Sequence, residues 1–389
     1  MANNKKIFYY TLGIHTYMEN LLKNPPPGYE FIIVSDSNKK ELINKLKSKS
    51  FIKFIYKTYV KRIFNVYGIL NKIYSKKSPD ESDLILSTGP IVNEEKPWVI
   101  KILDTPFSLA GNDYNLFIRN LDKIEKSLAS PYCKKIIVHT NRCKEHMKKY
   151  FSNKVMDKIV ILTPAIKKDA DKFNKMNSNK INFLFMGSIN NPDEFYMKGG
   201  IESIETFIKL RERFDNIELK IRCKVPDFIK EKKIEGLTII ENNLPWNELE
   251  ELYRDTDILL MPAYGGYFIM AYLESFSYGI PIIALDTYGV NEFVINGETG
   301  FHVNPSLKAP IFSEEYPANT RTINFIEIIK EGDPEVIDNL VNKCSNLINN
   351  RRLLLKMSNN CKDEFKNKYS FEDKINNLKD IFDDALEND

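Results

Sequence analysis

The chain has 389 residues, 43% of them apolar, and a formal net charge of +3. That length exceeds one ordinary hydrophobic core and predicts two or three domains. A nearly balanced charge argues against nucleic acid as a partner of the whole chain, and without a run of about 18 apolar residues a membrane-spanning helix is not expected. In chain order, the opening MANNKKIFYY lacks the charged-then-apolar layout of a secretion signal. Short apolar runs at 7–11, 29–35, 84–87, 98–103, 135–139 and 160–162 read as strands. A second set follows at 181–187, 219–222, 237–240, 258–261 and 281–285. Several lack polar alternation, as strands buried on both faces of a parallel sheet do. Helical patterns at 201–214, 247–254 and 267–278 lie between strands of the second set. Strand–helix alternation twice over predicts two doubly wound α/β domains, with the polar stretch 166–180 as the linker.

Five cysteines, Cys133, Cys143, Cys223, Cys344 and Cys361, are odd in number and widely spaced. They fit reduced thiols of a cytoplasmic protein better than a disulfide framework or a zinc knuckle. The histidines His15, His139, His146 and His302 offer no persuasive metal pair. Residues 51–77 stand apart: FIKFIYKTYVKRIFNVYGILNKIYSKK interleaves lysines with aromatic rings and holds no acid. Either its aromatic face packs on the N-terminal sheet with its lysines in water, or the segment lies on an anionic membrane surface.

The chemistry is expected in residues 183–305. A buried strand ends at Gly187, and Lys198-Gly199-Gly200 opens a helix. Free N–H groups and the positive dipole end at such a turn favour a phosphate-like anion, and Lys198 could pair with it. Further on, Gly265 and Gly266 break the chain before a helix from about Tyr267 to Gly279. Glu274 falls mid-helix among Phe, Tyr and Ala, where a carboxylate needs a partner. Two ribose hydroxyls would serve, because an ionised carboxylate is purely an acceptor; a structural ion pair would serve equally. Asp286-Thr287-Tyr288-Gly289-Val290-Asn291-Glu292 reads as a second loop-to-helix turn facing the same crevice.

As an ordered set these pieces resemble the C-terminal domain of family 4 retaining glycosyltransferases. The set comprises Gly187, Lys198-Gly199, Glu274, Gly279-Ile280-Pro281, Gly289 with Glu292, and Asn296-Gly297-Glu298-Thr299-Gly300-Phe301 in a hairpin-like motif. The terminal stretches LINNRRLLLKMSNNCKDEF and YSFEDKINNLKDIF resemble that family's last helices, with an insertion near 306–331. In the N-terminal half, GIHTYMENLL resembles its glycine loop and first helix. The resemblance implies a GT-B fold, two Rossmann-like domains facing a central cleft. They would be an acceptor domain over 1–167 and a nucleotide-sugar domain over 181–367, with a final helix, 368–389, packed back on the first.

It also implies the site. Gly13, Gly187, Ser188, Lys198 and the backbone of Gly266, Tyr267, Phe268, Ile269 and Met270 would hold the diphosphate. Glu274 would hold the ribose, and amides near Gly289 and Val290 would orient the sugar. His15 and Asp104 are the catalytic candidates on the acceptor side. No metal and no cofactor are expected beyond the nucleotide-diphospho sugar, which is the substrate. The acceptor would be a glycan or lipid-linked molecule, with the protein cytoplasmic and 51–77 at the inner membrane face. Three positions depart from the family: Leu103 stands in place of a histidine, Gly266 in place of the first glutamate of a pair, and Ser188 in place of an arginine. Those departures leave room for a noncatalytic nucleotide-sugar or glycan-binding partner protein, or for an epimerase. Asp255-Thr256-Asp257 has the form of a metal motif but precedes a buried strand, where a structural acid is expected.

Overall fold

A computed structural model describes residues 4–11, 16–33, 77–102, 105–167, 179–264, 270–306 and 323–387. The described chain divides into two compact units, residues 1–163 with 372–389, and residues 164–371.

In the first unit the strands are β1 (Lys5–Thr11), β2 (Tyr29–Ile32), β3 (Leu84–Thr88), β4 (Trp98–Ile102), β5 (Cys133–Val138) and β6 (Ile159–Ile161). They form one sheet in the order β2-β1-β3-β4-β5-β6, and every pairing is parallel. β3 and β4 are buried along their whole length, so their apolar runs do not alternate. Polar side chains start the intervening helices. Asp113 accepts from the Leu116 amide at 2.9 Å ahead of α2 (Tyr114–Arg119). Thr140 accepts from the Cys143 amide at 3.0 Å ahead of α4 (Asn141–Met147). Helices α1 (Thr16–Lys23), α3 (Leu121–Leu128) and α5 (Asn153–Met156) complete the connections.

In the second unit β7 (Ile181–Met186), β8 (Ile217–Arg222), β9 (Leu237–Ile240), β10 (Ile258–Leu260), β11 (Ile282–Leu285) and β12 (Gly300–Val303) pair in the order β12-β11-β10-β7-β8-β9, again all parallel. The intervening helices are α6 (Asp193–Met197), α7 (Gly200–Arg211), α8 (Asp227–Glu231), α9 (Trp246–Arg254) and α10 (Met270–Ser277). After β12 come α11 (Ile323–Ile329), α12 (Pro334–Asn349) and α13 (Arg351–Lys368). Asp333 caps α12 through the Glu335 and Val336 amides, with Pro334 at its first position. Gly279 takes φ +68 just past α10, the left-handed stop its position predicts.

Two local readings are corrected. The NGETGF motif is not a hairpin, because Gly300 opens a parallel edge strand registered on Ile282. The turn at 286–292 leads not into an α-helix but into a three-residue 3-10 turn, Val290–Glu292.

The last helix, α14 (Phe371–Glu387), returns to the first unit. Leu378, Phe382 and Ala385 join Ile7, Val99 and Ile137 in that unit's core. The Tyr29 ring meets Phe382 edge-on at 5.4 Å, and its hydroxyl donates to Asp383 at 2.5 Å. Among the described residues no helix is long and apolar enough to cross a membrane. All five cysteines are free and buried.

Candidate functional site

The site is built at the carboxyl ends of the second sheet, where doubly wound folds bind ligands. β7 ends at Met186, and Gly187 turns the chain. A Cβ there would stand 2.3 Å from the Cys223 sulfur, so only glycine lets the loop lie against β8. Ser188 is tied to the same strand end: its carbonyl accepts from the Lys224 amide at 3.1 Å. The loop continues into the short helix α6, which the sequence pattern did not reveal, and Lys198 caps the end of that helix. Gly199 takes φ +76, and a Cβ on it would meet the Pro262 carbonyl oxygen at 2.2 Å. That contact brings the start of α7 onto the end of β10. Lys198 is half-buried, and its charge acts on the Cys223 thiol, which burial pushes up to about 12. Gly187, Ser188 and Lys198 therefore share one neighbourhood around Cys223.

Glu274 lies on α10, half-buried among the buried Tyr272, Leu273, Ser275 and Phe276. Its Oε2 accepts from the Tyr253 hydroxyl at 2.5 Å. Tyr253 belongs to α9 and is fully buried. Burial first, and the Glu274 charge second, raise its pKa well above the usual range, so the phenol keeps its proton and donates. Arg222, the last residue of β8, acts on the same phenol with its charge and donates from Nη1 to the Gly187 carbonyl at 3.2 Å. Its Nε is buried with no hydrogen-bond partner among the described residues. Arg222 thus bonds the Gly187 loop and acts through its charge on Tyr253, which bonds Glu274. These three side chains come from β8, α9 and α10.

At the other sequence-predicted positions the outcome is mixed. Met270 opens α10. Gly289 takes φ +78, but the Val290 side chain is buried and its amide donates to the Thr287 carbonyl at 2.8 Å. The turn is joined to the segment entering residue 265 by Thr287 Oγ1, which donates to the Ala263 carbonyl at 3.2 Å. Gly13, His15, Asp104, Gly266, Tyr267, Phe268 and Ile269 lie outside the described residues, as do 51–76 of the basic segment.

Asp255 pairs with Lys220, and Asp257 accepts from the Asn182 amide at 2.8 Å, so both acids of the metal-like motif hold strands together. Among the described residues no group of His, Cys, Asp and Glu is arranged to hold a metal. In the first unit, His146 packs edge-on against Phe107 at 5.1 Å, and His139 Nδ1 lies 2.8 Å from the Leu162 carbonyl. A carbonyl only accepts, so that nitrogen carries the proton. Burial, assisted by the Lys101 charge, pushes His139 down to about 3, and burial pushes Lys101 down to about 7.

Sequence reasoning missed Arg222 and Tyr253. Strand alternation in IELKIR puts Arg222 on the half-buried face, and Tyr253 is an aromatic among the acids of α9; neither pattern names a partner.

Residues 166–314 match the family model "Glycosyl transferases group 1". A D-inositol 3-phosphate glycosyltransferase of Arthrobacter sp. (strain FB24) is 24% identical over 156 residues, 38% of this chain and 36% of that protein. The chain therefore aligns with about a third of the length of that curated relative. Among solved structures, HepE of Anabaena in complex with UDP and glucose superposes with a TM-score of 0.61 at 11% identity, covering 98% of this chain and 100% of that one. A glycosyltransferase from Rickettsia africae ESF-5 gives 0.60 at 14% identity, with 100% of both chains covered. The pneumococcal O-GlcNAc transferase GtfA in complex with UDP and GlcNAc gives 0.56 at 14% identity, covering 82% of this chain and 60% of that one. With its two parallel Rossmann-like sheets the chain has the GT-B fold, and its second unit carries the stretch that matches the group 1 glycosyl transferases.

Proposed function

We propose that the chain is a glycosyltransferase that moves a sugar from a nucleotide-diphospho sugar to an acceptor hydroxyl, with retention and without an obligatory metal. The observation that carries this reading is the half-buried Glu274, held by Tyr253 where Arg222 and the Gly187 loop meet. Glu274 accepts the ribose hydroxyls. Lys198 and the donors at the start of α7 face the diphosphate, whose charge grows as the bond to the sugar breaks. Groups fixed in place before that moment stabilise the transition state more than the ground state. Two of the similar structures are complexes with UDP, which is the first nucleotide to test. The acceptor is a glycan or a lipid-linked molecule, and His15 and Asp104 remain the candidates for acting on it. Residues 51–77 are the candidate membrane-surface contact of a cytoplasmic protein.

The test is a thermal-shift screen over nucleoside diphosphates and their sugar conjugates, followed by timed release of nucleoside diphosphate with candidate acceptors. A specific ligand stabilises the native state by mass action. Stabilisation by one nucleotide series, and release that stops in Glu274→Ala, is the expected result. Binding without release under any acceptor would favour a noncatalytic partner protein. Unchanged kinetics in Glu274→Ala would remove the site.

A further inference from the structure

We infer that Tyr253 is a positioning residue for nucleotide recognition, fixing the Glu274 carboxylate in the orientation that reads the ribose. This rests on the ribose reading of Glu274 and goes beyond it, because Tyr253 touches no ligand in that reading. A glutamate side chain on a helix turns freely about its last bonds, and a carboxylate that must meet two hydroxyls gains from being held before they arrive. The Tyr253 hydroxyl supplies that hold at 2.5 Å on Oε2.

Tyr253 is itself held. Its ring is fully buried and lies 5.3 Å from the Tyr278 ring at an interplanar angle of 9°. Tyr278 donates from its hydroxyl to Glu250 Oε1 at 3.0 Å, and the Arg254 guanidinium sits 5.7 Å from the centre of its ring. Glu250, Tyr253 and Arg254 all belong to α9, while Glu274 belongs to α10 and Tyr278 follows just after it. The stack therefore locks α9 against the end of α10 with the phenol donating to Glu274. A bond to Glu274 from a water molecule would bring no such fixed direction. A purely structural link between two helices would need no acceptor carrying a full charge on a half-buried helix face, where an uncompensated carboxylate is costly.

The experiment measures binding of UDP, GDP, ADP and CDP and of their 2′-deoxy counterparts to the full chain. It compares wild type, Glu274→Ala, Tyr253→Phe and Tyr278→Leu. Wild type is expected to prefer the ribonucleotide of one base, and Glu274→Ala to lose that preference. Tyr253→Phe keeps the ring and its stack but loses the donor. It is expected to weaken ribonucleotide binding about 10-fold, the scale of one hydrogen bond to a charged group, while the deoxy form changes less than about 2-fold. In turnover, donor KM rises by a similar factor with kcat within about 2-fold. Tyr278→Leu leaves the hydroxyl but removes its support, and about a 3-fold loss of preference is expected on the same scale. It keeps the test usable should Tyr253→Phe fail to fold. Full ribose preference in both tyrosine variants, with preference lost in Glu274→Ala, overturns the role of Tyr253 and leaves the ribose reading intact. Preference retained in Glu274→Ala overturns the ribose reading and the inference with it.

Discussion

Two of the glutamate–tyrosine pairs in the second unit differ in a telling way. Glu274 bonds Tyr253 at 2.5 Å, and Glu202 bonds Tyr264 at 2.6 Å. The donor is a buried phenol in both. The surroundings of the acids differ. Glu274 is half-buried, with Arg222 acting on its phenol. Glu202 is fully buried in the first turn of α7, and its Oε2 has no hydrogen-bond partner among the described residues. Burial dominates there and pushes the Glu202 carboxyl up to about 7, against the opposing bond from Tyr264. The same pair of side chains can thus stand half-buried on a helix face or hide a proton inside the core. Desolvation, more than the hydrogen bond, decides between the two.

The strongest way to break this comparison is Glu274→Ala. Donor turnover is expected to fall on the order of 1000-fold, equivalent to about 4 kcal/mol of transition-state stabilisation, with the melting temperature nearly unchanged. A fall in stability without a fall in turnover would make Glu274 the structural acid of the two.

Glu202→Gln tests the other side. Folded Glu202 keeps its proton up to about pH 7, whereas the unfolded carboxyl releases it near 4.5. Between those values the folded state binds more protons, so stability falls as pH rises through that window. The loss is complete above about pH 7 and amounts to about 3 kcal/mol. Thermal denaturation from pH 4.5 to 8 should show this decline in wild type and a flatter profile in Glu202→Gln. Equal slopes would mean that Glu202 titrates like an exposed acid.

Gly199→Ala probes the contact that brings α7 onto β10, immediately beside Glu202. It forces a side chain into a left-handed position 2.2 Å from the Pro262 carbonyl, and a loss of about 2 kcal/mol is expected by chemical denaturation. Wild-type stability would show that the backbone there yields. The smallest effect belongs to Tyr264→Phe. Removing the donor from Glu202 costs about 1 kcal/mol and moves the pH window of the decline upward, because the lost bond was holding the pKa down. An unmoved window would show that the Tyr264 bond does not matter to the titration.

Much of the scaffold was legible from the chain. The largely apolar runs at 84–87 and 98–103 read as buried parallel strands, and β3 and β4 are buried and pair in parallel. The Gly279 stop and the glycine at 187 were legible because each answers a local backbone demand. Helix α6 was not, because five residues hold too little periodicity to register. The edge strand β12 was hidden by turn residues that also suit a hairpin, and the choice between them came from its pairing with β11. Mid-helix Glu274 announced that it needed a partner without saying which.

By itself the amino-acid order determined the alternation of strands and helices, the split into two α/β halves and the acid that stands out on α10. Those follow from side-chain polarity and backbone freedom, which act over a few residues at a time. Only the tertiary structure decided that Tyr253 bonds Glu274 within reach of the Arg222 charge, and that Glu202 is fully buried while Glu274 is half-buried. Their meeting depends on right-handed crossovers that stack distant helices beside neighbouring strands, and no local pattern carries that geometry.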